Sequence, residues 1–90
     1  MTSEWDPAKA HSNFSKHGVR FADAVSALED QLALTMRDPS SEDEERWITL
    51  GMDAEGKLLV VIYTWRGKNL RVISARRASR RERQQYEAKR

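Results

Sequence analysis

RWITLGMDAEGKLLVVIYTWRGKNLRVISA, residues 46–75, decides the fold. It holds three apolar runs separated by two turn sequences. In the first run Ile48, Leu50 and Met52 alternate with smaller residues, the period of a strand with one buried face. Asp53-Ala54-Glu55-Gly56 then reads as a turn. LLVVIYTW, residues 58–65, is continuously apolar, as expected of a central strand covered on both faces. Arg66-Gly67-Lys68-Asn69 forms the next turn, and LRVISA follows as a third strand. Links this short require antiparallel pairing, because a parallel return needs a crossover.

Taking each turn as four residues fixes an expected register. Trp47 falls opposite Ile62, Trp65 opposite Leu70, and Tyr63 opposite Val72. Alternation then gathers Ile48, Leu50, Met52, Leu59, Val61, Tyr63, Trp65, Leu70 and Val72 on one face, which is expected to meet the helices. Trp47, Thr49, Val60, Ile62, Thr64, Arg66, Arg71, Ile73 and Arg77 share the other, an open face with three arginines. Arg76 falls on the core side, opposite Leu59 and roughly 20 Å from Arg66 at ~3.3 Å per residue. Only a bulge or a sharp twist would bring the two together. A one-residue slip would exchange the two sets.

Upstream, Asp6-Pro7 opens a helix, with Asp as cap and Pro in the first turn. It runs to His17, where Gly18 supplies a left-handed stop. Phe21, Val25 and Leu28 recur at i, i+4, i+7 in a second helix. Leu32 to Met36 reads as extended, ended by Asp38-Pro39. PSSEDEE, residues 39–45, is a solvated acidic loop. Downstream, Ser79 with Glu82 three residues on is a capping box that opens a helix through about Ala88. The order α-α-β-β-β-β-α describes one α+β domain over residues 1–90, a four-stranded antiparallel meander with helices against one face.

Charge is strongly segregated. Residues 57–90 carry eleven Lys/Arg against two Glu, a net +9, whereas residues 1–56 carry five basic against twelve acidic groups, a net −7. The formal total of +2 conceals this polarity. Such a basic half calls for an anionic partner. No cysteine is present, which excludes disulfides and thiolate metal sites. No run approaches the ~18 apolar residues of a membrane span. MTSEWDPAK lacks the basic and apolar regions of a signal peptide, so a cytoplasmic location is expected.

Metal chemistry has little support: His11 and His17 are not at i, i+4, no HExxH occurs, and the acidic loop lacks a calcium-loop pattern. The arginines remain. A guanidinium grips phosphate as a permanently charged fork and can stabilise charge developing in phosphoryl transfer. Cleaving RNA without metal would further require proton transfer to and from the 2′- and 5′-oxygens. His17 suits that role, but one residue before Gly18 it also suits a helix C-cap. Trp47 and Trp65 can be stacking platforms for bases or core. Arg66 can be a phosphate ligand or a turn residue. The residues alone thus support a basic-faced α+β domain with an anionic partner.

Four segments carry a resemblance: EWDPAKAHSNFSKHGVRFADA, ERWITLGM, LLVVIYTWRG and LRVISARRASRRERQQYE. Together they resemble the BrnT family of bacterial toxins from type II toxin–antitoxin modules, over nearly the whole chain. The resemblance implies a RelE-like fold and an endoribonuclease that inhibits translation without cofactor or metal. It also implies a BrnA-like antitoxin with a ribbon-helix-helix domain, and a complex that represses its own operator DNA; a heterotetramer is expected. Arg66, Arg76, Arg77 and His17 are the implied catalytic set. Arg80 flanks it as a phosphate contact, with Lys68, Arg71 and Trp65 as further expected RNA contacts. The alternative is a non-catalytic nucleic-acid-binding or corepressor module that uses the same basic sheet face.

Overall fold

Asp6 starts the first helix as its sequence requires: its backbone is extended and its carboxylate accepts the Ala8 N–H at 2.9 Å. Pro7 follows and α1 runs Pro7–His17. Gly18 ends it with φ 69°, its N–H donating to the Phe14 carbonyl at 2.8 Å, a conformation that costs glycine little. α2 (Phe21–Leu28) buries Phe21, Ala24 and Ala27. The structure, a computed structural model, describes residues 2–42 and 44–88. Asp43 of the acidic loop lies outside the described residues; nearby, the exposed Glu44 and Glu45 pair with Arg46 and Arg37 at 3.7 and 3.3 Å.

Among the described residues the sheet has five strands, one more than expected: β1 (Thr2–Glu4), β2 (Leu34–Arg37), β3 (Trp47–Met52), β4 (Leu58–Arg66) and β5 (Asn69–Arg77). Their spatial order is β1-β5-β4-β3-β2. The additional β1 pairs in parallel with β5, from Thr2 beside Asn69 to Glu4 beside Arg71. Three residues without an apolar alternation carry no strand signal of their own; β5 supplies the template. The other pairings are antiparallel, and α3 (Arg80–Ala88) follows β5.

Helices cover both faces of the sheet, not one. The larger core joins α2 and the start of its approach, Val19, Phe21, Ala24 and Ala27, to Leu59, Val61, Tyr63, Leu70, Val72 and Ala75. On the opposite face α3 packs Tyr86 against Leu50, Leu58 and Val60. The Tyr86 hydroxyl donates to Asp30 at 2.5 Å, and the same carboxylate oxygen accepts the Met52 N–H at 2.9 Å. The continuous apolar run of β4 is therefore buried from both sides.

Two local features correct the expected register. The β3–β4 turn spans five residues: Met52 pairs with Leu58, and Trp47 with Tyr63 in place of Ile62. Asp53 causes this. Its Oδ1 accepts the Glu55 and Lys57 N–H groups at 2.9 and 2.8 Å, while Gly56 takes φ 86°, a Gly-containing loop with one residue more than assumed. The slip turns β3 over: Trp47 and Thr49 join the larger core side, where Thr49 Oγ1 lies 2.9 Å from the Tyr63 hydroxyl, and Ile48, Leu50 and Met52 face α3. The second correction is a bulge. Tyr63 pairs with Val72 but Ile62 with Ser74, so Ile73 is an extra residue in β5. Beyond it every side chain of β5 changes face.

Candidate nucleic-acid interface

The bulge at Ile73 assembles the candidate site. Val60 faces α3, so alternation places Ile62, Thr64 and Arg66 of β4 on that side. Their partners on β5 are Val60 with Arg76, Ile62 with Ser74, and Thr64 with Arg71. Arg66, Arg71, Ser74 and Arg76 thus share one face, and α3 covers only its Leu58–Val60 end. Without the extra residue Arg77 would occupy this face; with it, Arg77 sits opposite Leu59 on the side of α1 and α2. Arg76 and Arg77 have exchanged the faces expected of them.

The three arginines form a row. Arg71 lies opposite Thr64, two residues from Arg66 or ~7 Å along the strand; Arg76 lies opposite Val60, six residues away or ~20 Å. No single phosphate spans that distance. A row of cations matches instead the spaced phosphates of one extended strand.

Trp65 and Lys68 belong to the β4–β5 hairpin tip. Arg66 pairs with Asn69, leaving a two-residue loop with Gly67 at φ 60° in its first position, the backbone such a tight hairpin requires. Trp65 is 48% exposed but alternates to the face opposite Arg66. Trp47 is half-buried against the larger core. Arg80 is exposed on the first turn of α3.

His17 lies on the α1 side of β5, beside the bulge. Together with Lys9, Ser12, Asn13 and Lys16 of α1 it lines a shallow depression of about 220 Å³ whose floor is Ile73 and Ser74, the bulge itself. Asn13 fixes this approach. β1 ends beside Arg71, which leaves the outer edge of β5 open beyond it. There Asn13 Oδ1 accepts the Ala75 N–H at 3.1 Å, and its Nδ2 donates to the carbonyls of Ala75 and Val19 at 2.9 and 3.1 Å. One side-chain amide replaces the missing strand. Lys9, Asn13 and Lys16 were not singled out from the sequence. Their signal was there: with His17 they stand at i, i+4, i+7 and i+8, one face of α1.

Arg76 is the most constrained cation of the group. Its Nη1 and Nη2 donate to Glu82 Oε1 and Oε2, both at 2.8 Å, and Nη1 also reaches the Arg77 carbonyl at 3.3 Å. Glu82 Oε1 accepts the Ser79 N–H at 2.7 Å, and Ser79 Oγ accepts the Glu82 N–H at 3.2 Å, completing the capping box. The Arg76 hydrogen bonds, aided by those from Ser79, outweigh burial and hold the Glu82 carboxyl at about 2, well below its ordinary 4.5. Arg76 is shifted upward, chiefly by the same hydrogen bond.

Among the described residues one carboxylate cluster, Asp23, Asp53 and Glu55, has spacing compatible with a metal ion. The Lys57 ammonium lies among them at 3.5, 3.1 and 2.8 Å. Asp53 is buried, and against that burial the Lys57 and Glu55 hydrogen bonds still lower its carboxyl. The lysine already supplies the positive charge, and the cluster serves the β3–β4 turn.

The fold and site thus define a small α+β protein that presents arginines from a sheet face. A family described as the ribonuclease toxin, BrnT, of type II toxin–antitoxin systems matches residues 5–82. The chain belongs to this BrnT family. It is also similar to the crystal structure of the Brucella abortus ribonuclease toxin BrnT, with 30% sequence identity and a TM-score of 0.65, over 89% of this chain and 100% of that one. No curated protein matches.

Proposed function

We propose that this protein is an endoribonuclease toxin that cleaves RNA without a metal and thereby inhibits translation. The observation that carries the reading is the shared face of Arg66, Arg71 and Arg76, with His17 beside the bulge between them. The arginine row binds the phosphodiester backbone, and its guanidinium groups neutralise charge as the 2′-oxygen attacks phosphorus. The P–O5′ bond breaks and a 2′,3′-cyclic phosphate forms. The 2′-hydroxyl loses its proton as it attacks and the departing 5′-oxygen gains one; His17 carries one of these transfers and water the other. Lys9 and Lys16 extend the cationic surface around β5, and Lys68 and Arg80 contact flanking phosphates. Trp65 is free to stack on a base that wraps over the hairpin tip.

Family membership supports a protein antitoxin. A BrnA-like partner with a ribbon-helix-helix domain, bound in a heterotetramer that represses operator DNA, completes this reading in the bacterial cytoplasm. Purified protein is expected to cut RNA in EDTA and, expressed alone, to arrest growth. Intact RNA after incubation with folded protein at micromolar concentration contradicts the reading. The ~20 Å spread of the arginines favours one second reading, a binding module that grips RNA without cutting it. Such a module would be tolerated by the cell.

A further inference from the structure

Arg76 makes bonds that restrain it without using it up. A guanidinium offers five N–H groups in two forks, one between the Nη atoms and one between Nε and Nη2. Glu82 takes the first fork, and the Arg77 carbonyl takes the remaining Nη1 hydrogen. The second fork, Nε with the outer Nη2 hydrogen, donates to nothing among these bonds. The Arg76 side chain is 45% exposed and that of Glu82 26%. Arg76 is therefore pinned from the α3 side, on the face it shares with Arg71 and Arg66, with its Nε and outer Nη2 hydrogens outside these bonds.

We infer that Glu82 is a positioning residue, and that the Nε/Nη2 edge of Arg76 which it orients is the ligand for a phosphate of the RNA. This rests on the ribonuclease reading above. A free arginine must lose side-chain entropy on gripping a phosphate. Glu82 removes that cost in advance, because it is itself fixed to the Ser79 N–H and the start of α3. The capping box thereby does two jobs: it starts a helix, and it aims a cation on the adjoining strand.

The two jobs separate by mutation. Glu82→Gln keeps the cap, since Gln serves at that position of a capping box, but it leaves only one acceptor for a fork that needs two. Ser79→Ala removes the side-chain cap and spares the Arg76–Glu82 pair. Arg76→Lys keeps a charge for Glu82 but has no second fork. The experiment follows the Arg76 Nε–H resonance while a 2′-deoxy oligonucleotide, which cannot be cleaved, is titrated in. Single-turnover cleavage of the matching RNA is measured alongside.

Wild type and Ser79→Ala should show a saturable Nε–H shift. In Glu82→Gln the shift should be lost or weakened, and cleavage should slow about 10–100-fold with little change in KM. Arg76→Lys should slow cleavage comparably. Cleavage by Glu82→Gln at the wild-type rate, or an Nε–H shift unchanged by that substitution, overturns the inference. So does a wild-type Nε–H that ignores the oligonucleotide. A wild type that binds but does not cut overturns the ribonuclease reading alone; loss of the shift in Glu82→Gln would then still uphold the role of Glu82.

Discussion

Asn13 and Glu82 show how much a single side chain carries in a chain of 90 residues. Asn13 satisfies both polar groups of Ala75 on the open edge of β5. Asn13→Ala leaves those buried groups unpaired, at ~1–3 kcal/mol each, and should lower stability to urea by about 2–6 kcal/mol. Asn13→Asp keeps the acceptor for the Ala75 N–H but sets a buried carboxylate against the Ala75 and Val19 carbonyl oxygens, and should cost at least as much as Asn13→Ala. Glu82 makes stability depend on acid. Its folded-state pKa of about 2 lies below the ordinary 4.5, so its contribution is complete above about pH 4.5 and is lost as pH falls toward 2. Arg76 is half exposed, so the pair is worth about 1 kcal/mol or less. The stability gap between wild type and Glu82→Gln should therefore narrow across that window in acid titrations of urea melts. The cap itself was legible from Ser79-x-x-Glu82. The partner of Glu82 was not, because Arg76 was assigned to the wrong face.

At the scale of elements, two turns and a bulge decide which side chains meet. The three strong strands, the three helices and both ends of α1 could be read from periodicity and caps. The register of the β4–β5 hairpin could be read too, with Trp65 beside Leu70 and Tyr63 beside Val72, but that of β3 and of β5 beyond Val72 could not, because one extra residue at Asp53–Lys57 and another at Ile73 each exchange the two faces. Neither has a propensity signal: the first arises from side-chain hydrogen bonds of Asp53, and the second shows only in the pairing of β5 with β4. β1 stayed hidden because its stability comes from the edge of β5. The contact of α2 with β3 is equally tight. A Cβ at Gly51 would lie 2.4 Å from the Ala27 carbonyl oxygen. Gly51→Ala should cost about 1–3 kcal/mol by overpacking, visible as a lowered melting temperature with secondary structure retained.

Across the whole molecule, the charge segregation read from the sequence acquires a shape. The basic half contributes β4, β5 and α3, so its arginines line a sheet face and the adjoining helix start, while the acidic half supplies turn and loop contacts such as the Asp23–Asp53–Lys57 cluster. RNA affinity should fall steeply with salt, and Arg66→Ala or Arg71→Ala should each reduce the slope of log K against log salt by about 0.7, the single-strand value for one phosphate contact. The bulge puts Arg76, and not Arg77, on the face of Arg66 and Arg71. The most direct test compares RNA cleavage in EDTA by wild type, Arg76→Ala and Arg77→Ala, with folding of each checked by circular dichroism. Arg77→Ala keeps the carbonyl that Arg76 uses and should cut within a few-fold of wild type, whereas Arg76→Ala should lose about 100-fold or more. Full activity in Arg76→Ala, with cleavage abolished in a folded Arg77→Ala, would contradict the account.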